Sequence, residues 1–229
     1  MGNKNLIITI EREYGSGGRI VGRKLAEELG LHFYDDEILK MASEKSAVGE
    51  EFFRLADEKA GNNLLHRLAG AKKADVFGKP SLKGDVTSPD NLFKFQAMVM
   101  RELAEQEPCV FVGRAAGYVL DQDEEIENLV RVFVYADRVR RVQRVMEVDC
   151  ISEERAKKRI RKIENERKNY YKYFTGNDWK NMKNYDLQSD PPRTGRDGGA
   201  DQGICEAARV YEVRENENNL SVMQAKNFS

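Results

Sequence analysis

Ile8 to Gly30 reads ITIEREYGSGGRIVGRKLAEELG, and few folds accommodate it: a buried strand runs into a glycine loop and straight on into a helix. Leu6 to Ile10 is a short, nearly unbroken apolar run, the pattern of a parallel strand covered on both faces. Val21, Leu25 and Leu29 then recur at helical spacing, and Gly30 is a natural C-terminal stop. Between them, Gly15, Gly17 and Gly18 let the backbone turn its N–H groups toward an anion, with the positive end of the helix dipole behind them. Arg19 in the first turn opposes that dipole by roughly 0.3–1 kcal/mol, which makes best sense with an anion in front of it. The competing reading is a glycine turn that packs helix on strand, with Arg19 solvated.

The same strand-then-helix rhythm continues. LHFYDDEI reads as a second strand ending near Tyr34, with Asp35 or Asp36 capping the next helix. From about Ser46 to Ser88 the pattern loosens into a long irregular insert, a kind of segment that is usually functional or mobile. Order returns with Ser88 as cap, Pro89 at the first helical position, and a stripe of Leu92, Phe95, Val99 and Leu103. PCVFVGRAAG and LVRVFVYAD are further buried strands, and Asp137 caps a helix carrying Val139, Val142, Val145, Met146 and Val148. Ser152 opens another helix. The expectation is a parallel sheet covered on both faces, with ligands beyond the carboxyl ends of its strands. The glycine loop, Asp35 and Arg114 all follow strand ends, so that topology gathers them on one edge. QSDPPRTGRDGGADQG reads as a loop, and ICEAARVYEVREN as room for one last helix in a divergent tail over 191–229.

The loop follows neither common phosphate signature. Setting the second glycine of a Walker loop, G-x-x-x-x-G-K-[ST], on Gly18 puts Glu13 at the first glycine, Arg19 at the lysine and Ile20 at the hydroxyl residue. Against G-x-G-x-x-G, Ile20 stands where the third glycine belongs. Downstream, Arg155, Lys157, Lys158, Arg159, Arg161, Lys162, Arg167, Lys168 and Lys172 crowd one helix. Interspersed glutamates allow a solvated, salt-bridged face. A lid, described as a mobile basic helix pair that closes over phosphates, is the functional reading. A nucleic-acid surface is a third, aided by nearby aromatic residues. It is opposed by the balance of 38 basic against 39 acidic residues, a formal net charge of -1. Arg114 ends a buried strand, where a guanidinium is costly without an anionic partner, either a substrate phosphate or a structural carboxylate. Asp35 could orient substrate or a magnesium-bound water.

The remaining composition restricts the setting. No run of about eighteen apolar residues offers a membrane span, and the apolar strand follows the first residues too closely for a signal peptide. Leu6 occupies the place where a myristoylation signal needs Ser or Thr. Cys109, Cys150 and Cys205 are odd in number and widely spaced, as suits reduced thiols in a cytoplasmic protein. With only His32 and His66, a histidine-rich metal site or a Ser-His-Asp triad is not expected. Oligomeric state is not legible.

Together with FYDDEIL, PCVFVGRAAGYVL, VRVFVYAD, ERKNYYKYFTGNDW and NYDL, the REYGSGGR stretch makes the chain resemble the cytidylate kinase-like family, within the P-loop nucleoside monophosphate kinases. The resemblance implies a three-layer α/β/α P-loop kinase fold: a central parallel sheet, a helical substrate-side insert over about 46–88 and a lid over 152–175, all within a domain spanning 1–190. It further implies ATP with Mg2+ as donor, held by Gly15, Ser16, Gly17, Gly18 and Arg19. CMP or dCMP is the implied acceptor, met by Asp35 and Arg114, with Arg159, Arg161 and Arg167 closing over the transferring group beside Arg19 and Arg114. The implied partners are small-molecule nucleotides, with neither nucleic acid nor membrane. Departures leave two alternatives open, a nucleotide-binding protein without catalysis and a P-loop kinase for another small acceptor. Val112 replaces the aspartate of the D-G-R pattern of true cytidylate kinases, Ile160 replaces the first lid arginine, and Lys40 and Met41 replace a Tyr-Arg pair.

Overall fold

The computed structural model describes residues 4–62, 78–83 and 86–190, with no side-chain description over 59–62. Strand β1 covers Ile7–Arg12, helix α1 Gly18–Leu29, β2 His32–Tyr34, α2 Glu37–Ser46 and α3 Glu50–Asn62. The chain continues with α4 over Pro89–Gln106, β3 Cys109–Val112, α5 Ala116–Asp121 and β4 Leu129–Val134. Helix α6 at Arg138–Asp149, α7 at Glu153–Thr175 and β5 at Leu187–Ser189 complete the described part.

All strand pairings are parallel, in the order β2-β3-β1-β4-β5. Because side chains alternate across a strand, each strand serves two cores. Ile8, Ile10, Val110, Val112, Val130, Val132 and Val134 face Val21, Leu25 and Ala26 of α1. Ile7, Cys109, Phe111 and Phe133 face the other way, into a larger core that α2, α3, α4, α5 and the end of α7 complete. Three layers result, as expected of near-continuous apolar strands. The chain leaves β1 toward β2 and later crosses back over β1 to reach β4, so the carboxyl end of β1 lies where strand order reverses.

Several expected caps are present. Ser88 Oγ accepts from the Asn91 N–H, the Asp137 carboxylate from the N–H groups of Val139 and Arg140, and Ser152 Oγ from the Arg155 N–H. Asp36 sits at the cap position of α2 but makes no side-chain capping bond, since its backbone is already helical. The insert is less irregular than its composition suggests: α3 begins it and buries Phe53 and Ala56. The basic segment is one continuous 23-residue helix, α7, where the sequence suggested a helix pair. Its Ala156 and Ile160 pack on Val142 and Val145 of α6, and its Tyr171 and Phe174 are buried in the main core. Of the stripe expected on α6, Val142 and Val145 are buried while Val139 and Val148 are largely exposed. The tail over 191–229, with its expected helix, lies outside the described residues, as does the middle of the insert.

Candidate phosphate site

Glycine geometry builds the loop. Gly15 and Gly17 have φ of +79° and +91°, conformations that side chains resist. Gly17 is the N-cap of α1, and the buried Ser16 turns its hydroxyl to accept from the Gly18 N–H at 3.3 Å. Glu13, at the place of a Walker first glycine, is buried and does structural work instead. It accepts from the Ala136 N–H at 3.4 Å and ion-pairs with Arg141 at 3.3 Å and with Lys180. From α6, Arg144 donates to the Gly15 carbonyl at 2.8 Å, placing a guanidinium beside the loop. Burial first, and the charge of Arg140 second, lower the pKa of Arg144 from its ordinary value.

Two cavities open at this edge of the sheet. One, of about 290 Å³, lies over the loop and is lined by Tyr14, Gly15, Gly17, Gly18, Arg19 and Arg144 among others. The second, of about 230 Å³, lies between α3 and α7 and is lined by Asp57, Glu58, Arg114, Glu166 and Tyr170 among others. Arg12, Asp35, Asp36 and Arg167 line both, so the two spaces meet along one charged wall.

Each expected site residue has a definite place. Arg19 is more than half exposed and its Nε lies 2.6 Å from Asp35, so the anion in front of the first turn is the protein's own carboxylate. Arg114 takes positive φ of 57° directly after Gly113 and turns toward α3. Its Nη1 donates to Asp57 at 2.7 Å and to Gln96 at 3.2 Å, while Nη2 approaches Asp36 at 3.7 Å. Burial alone would lower the pKa of Arg114; Asp57, its hydrogen bond and Asp36 outweigh that and raise it. Arg167 reaches the shared wall from α7, donating to the Arg12 carbonyl at 2.6 Å with its guanidinium over the Tyr14 ring. Burial chiefly, and the neighbouring Arg12 charge next, hold Arg167 at about 9. Arg159 instead pairs with Asp149 at 3.0 Å, and Arg161 is exposed; neither lines the two cavities.

The sequence reading passed over Arg12, Asp57 and Arg144. Arg12 carries the signal used for Arg114, a cation closing a buried strand, and was masked by the glycines beside it. Asp57 lies in the segment read as irregular. Arg144 sits in a helix whose sequence pattern is dominated by its apolar stripe. Among the described residues there is no group of three His, Cys, Asp or Glu side chains placed to hold a metal ion. No described helix is long and apolar enough to cross a membrane.

Comparison with known proteins gives three results. A family model described as the cytidylate kinase-like family matches residues 7–190. A cytidylate kinase of Methanopyrus kandleri (strain AV19) is 27% identical over 201 residues, covering 84% of this chain and 88% of that one. Among solved structures, an uncharacterized protein from Eubacterium ventriosum ATCC 27560 superposes with a TM-score of 0.55 at 24% identity, over 81% of this chain and 87% of the other, a likeness of fold.

Proposed function

Because the chain belongs to the cytidylate kinase-like family, we propose that it transfers the terminal phosphoryl group of Mg-ATP to a nucleoside monophosphate, CMP or dCMP foremost. The observation that carries this reading is the pair of cavities that share one charged wall, with Arg12 and Arg167 beside Asp35 and Asp36. A two-substrate transfer needs both reactants held in line with the moving group between them, and there is little covalent chemistry for the protein to supply.

In this reading the loop from Gly15 to Gly18 holds the donor phosphates at the helix N-terminus. Arg19 and Asp35, already paired, orient that end, and Arg114 meets the acceptor phosphate. Arg167 adds charge at the junction, and Arg159 and Arg161 reach it only if α7 moves. The divalent ion would arrive on the ATP phosphates, keep most of its waters, and supply charge neutralisation there. Asp36, which lines both cavities, is the carboxylate best placed to share it, since Asp35 is held by Arg19 and Ile20 stands where a Walker loop has its hydroxyl.

One observation favours a second reading. The acceptor cavity carries Asp57 and Glu58 beside Asp35 and Asp36, and Arg114 is already neutralised by Asp57. Such a lining also suits a small polyhydroxyl acceptor. The test is ADP release with Mg-ATP against a panel of nucleoside monophosphates and small alcohols, alongside calorimetric ATP binding. Turnover is expected with pyrimidine monophosphates. Turnover confined to alcohols supports the second reading, and ATP binding without any turnover overturns both.

A further inference from the structure

Arg12, the last residue of β1, runs outward between Gly18, which opens α1, and Gly113, which follows β3. A Cβ on Gly18 would stand 2.6 Å from the Arg12 Cβ, and a Cβ on Gly113 would stand 2.0 Å from its Nη1. Gly18 leaves no space for a side chain beside the base of the Arg12 side chain, and Gly113 leaves none while the guanidinium keeps its place. That guanidinium ends on the wall common to both cavities.

Its charge is poorly answered. Among the described residues its ion pairing is a 3.9 Å approach to Asp35, whose other oxygen Arg19 holds at 2.6 Å. The adjacent carboxylate, Glu11, is spent on the Ala115 N–H and the Trp179 indole N–H, each at 3.1 Å. Arg167 brings a second cation alongside. Burial dominates, and the pKa of Arg12 is lowered from its ordinary value. Two half-buried guanidiniums share the wall with Asp35 and Asp36, and among the described residues only Asp35 comes within 4.0 Å of Arg12, which leaves room for an anion with several oxygens.

We propose that Arg12 is a catalytic residue of this site, its guanidinium holding the transferring phosphoryl group where donor and acceptor cavities meet, in the charge role a Walker loop gives to lysine. The inference rests on the phosphoryl-transfer reading for the identity of that anion. In the step, the bond from the terminal phosphorus to the bridging oxygen breaks and ADP keeps the electron pair. An acceptor phosphate oxygen, already deprotonated, forms the new bond. Arg12 answers the charge on the moving group's oxygens throughout.

The test uses the full chain and calorimetric affinities for Mg-ATP and Mg-ADP, with circular dichroism to confirm folding. Arg12→Ala is expected to weaken ATP binding about tenfold or more and ADP binding less than about twofold, and to lower kcat on the order of a thousandfold. Arg12→Lys, which keeps a charge in the channel, is expected to recover most of the ATP affinity. Gly113→Ala crowds the guanidinium but also strains the backbone at φ of +80° before Arg114, so it is read only where circular dichroism shows the native fold. There it is expected to reproduce the loss for ATP over ADP with Arg12 still present. Equal losses for ATP and ADP, or none for either, overturn the proposal, and if Arg12→Ala does not fold, the other two variants decide it. Wild-type protein that prefers ATP through Arg12 but turns over no acceptor sinks the transfer reading while leaving the contact with the terminal phosphate standing.

Discussion

Arg167 is a half-buried cation on the wall shared by the two cavities. Its guanidinium donates to the Arg12 carbonyl and lies over Tyr14 but has no carboxylate within 4.0 Å among the described residues. With its pKa depressed to about 9, the folded state holds that proton less tightly than the unfolded chain does. The penalty is therefore present at neutral pH and fades as pH climbs past about 9, the reverse of a stabilising ion pair. A buried charge of this kind is often replaced by an apolar side chain of similar volume without loss of stability. Arg167→Met is expected to leave the unfolding free energy unchanged or raise it by about 1–2 kcal/mol, while lowering turnover roughly 10²–10³-fold. Urea unfolding and steady-state kinetics on the same preparation check this. A stability loss above about 1 kcal/mol would mean that the carbonyl bond and the Tyr14 contact outweigh the buried charge.

Helix α3 carries the acceptor question. It packs on α4 and α7 through Phe53 and Ala56, and its Asp57 closes on Arg114. If a phosphate must displace Asp57, the carboxylate acts as an internal competitor and reduces apparent acceptor affinity. Asp57→Asn is then expected to lower the acceptor KM by about threefold to tenfold, with the ATP KM unchanged. A rise in acceptor KM would instead place Asp57 in contact with acceptor hydroxyls, as the polyhydroxyl reading requires. The same helix shows where sequence patterns lose their grip. Strands β1, β3 and β4 were legible because each is built on a short, nearly unbroken apolar run, and Tyr34 and the glycine stop before Leu31 bracketed β2. In α3, Phe52 and Leu55 are exposed beside buried Phe53 and Ala56, so no clean stripe emerges from EEFFRLADEK. Strand β5 is three residues on a sheet edge with Leu187 its lone apolar member, too short for any period. The glycines marked the turn between β1 and α1 in the sequence. That Asp35 faces Arg19, and Asp57 faces Arg114, depends on crossovers no local pattern records.

Glu11 ties these layers into one cooperative unit. It is buried at the carboxyl end of β1 and accepts from Ala115, which follows β3, and from Trp179, which follows α7. The three segments are 104 and 168 residues apart in sequence, so the bonds join the sheet, the turn carrying Arg114 and the end of the basic helix. Trp179 is itself fully buried, stacked edge-on against Phe133, and its carbonyl accepts from the Tyr185 hydroxyl. Removing the carboxylate leaves two buried donors unanswered, which costs about 1–3 kcal/mol for each group left without a partner. Glu11→Ala is accordingly expected to lower the unfolding free energy by about 2–5 kcal/mol. The chain has one tryptophan, so its fluorescence reports this site directly. In wild-type protein the fluorescence and circular dichroism transitions should coincide. In Glu11→Ala they should coincide at a lower urea midpoint with an unchanged slope. A tryptophan transition that separates from the loss of helix in wild-type protein would show that Trp179 and the end of α7 come away before the sheet. The basic helix would then be a separately folding lid, and Glu11 its latch.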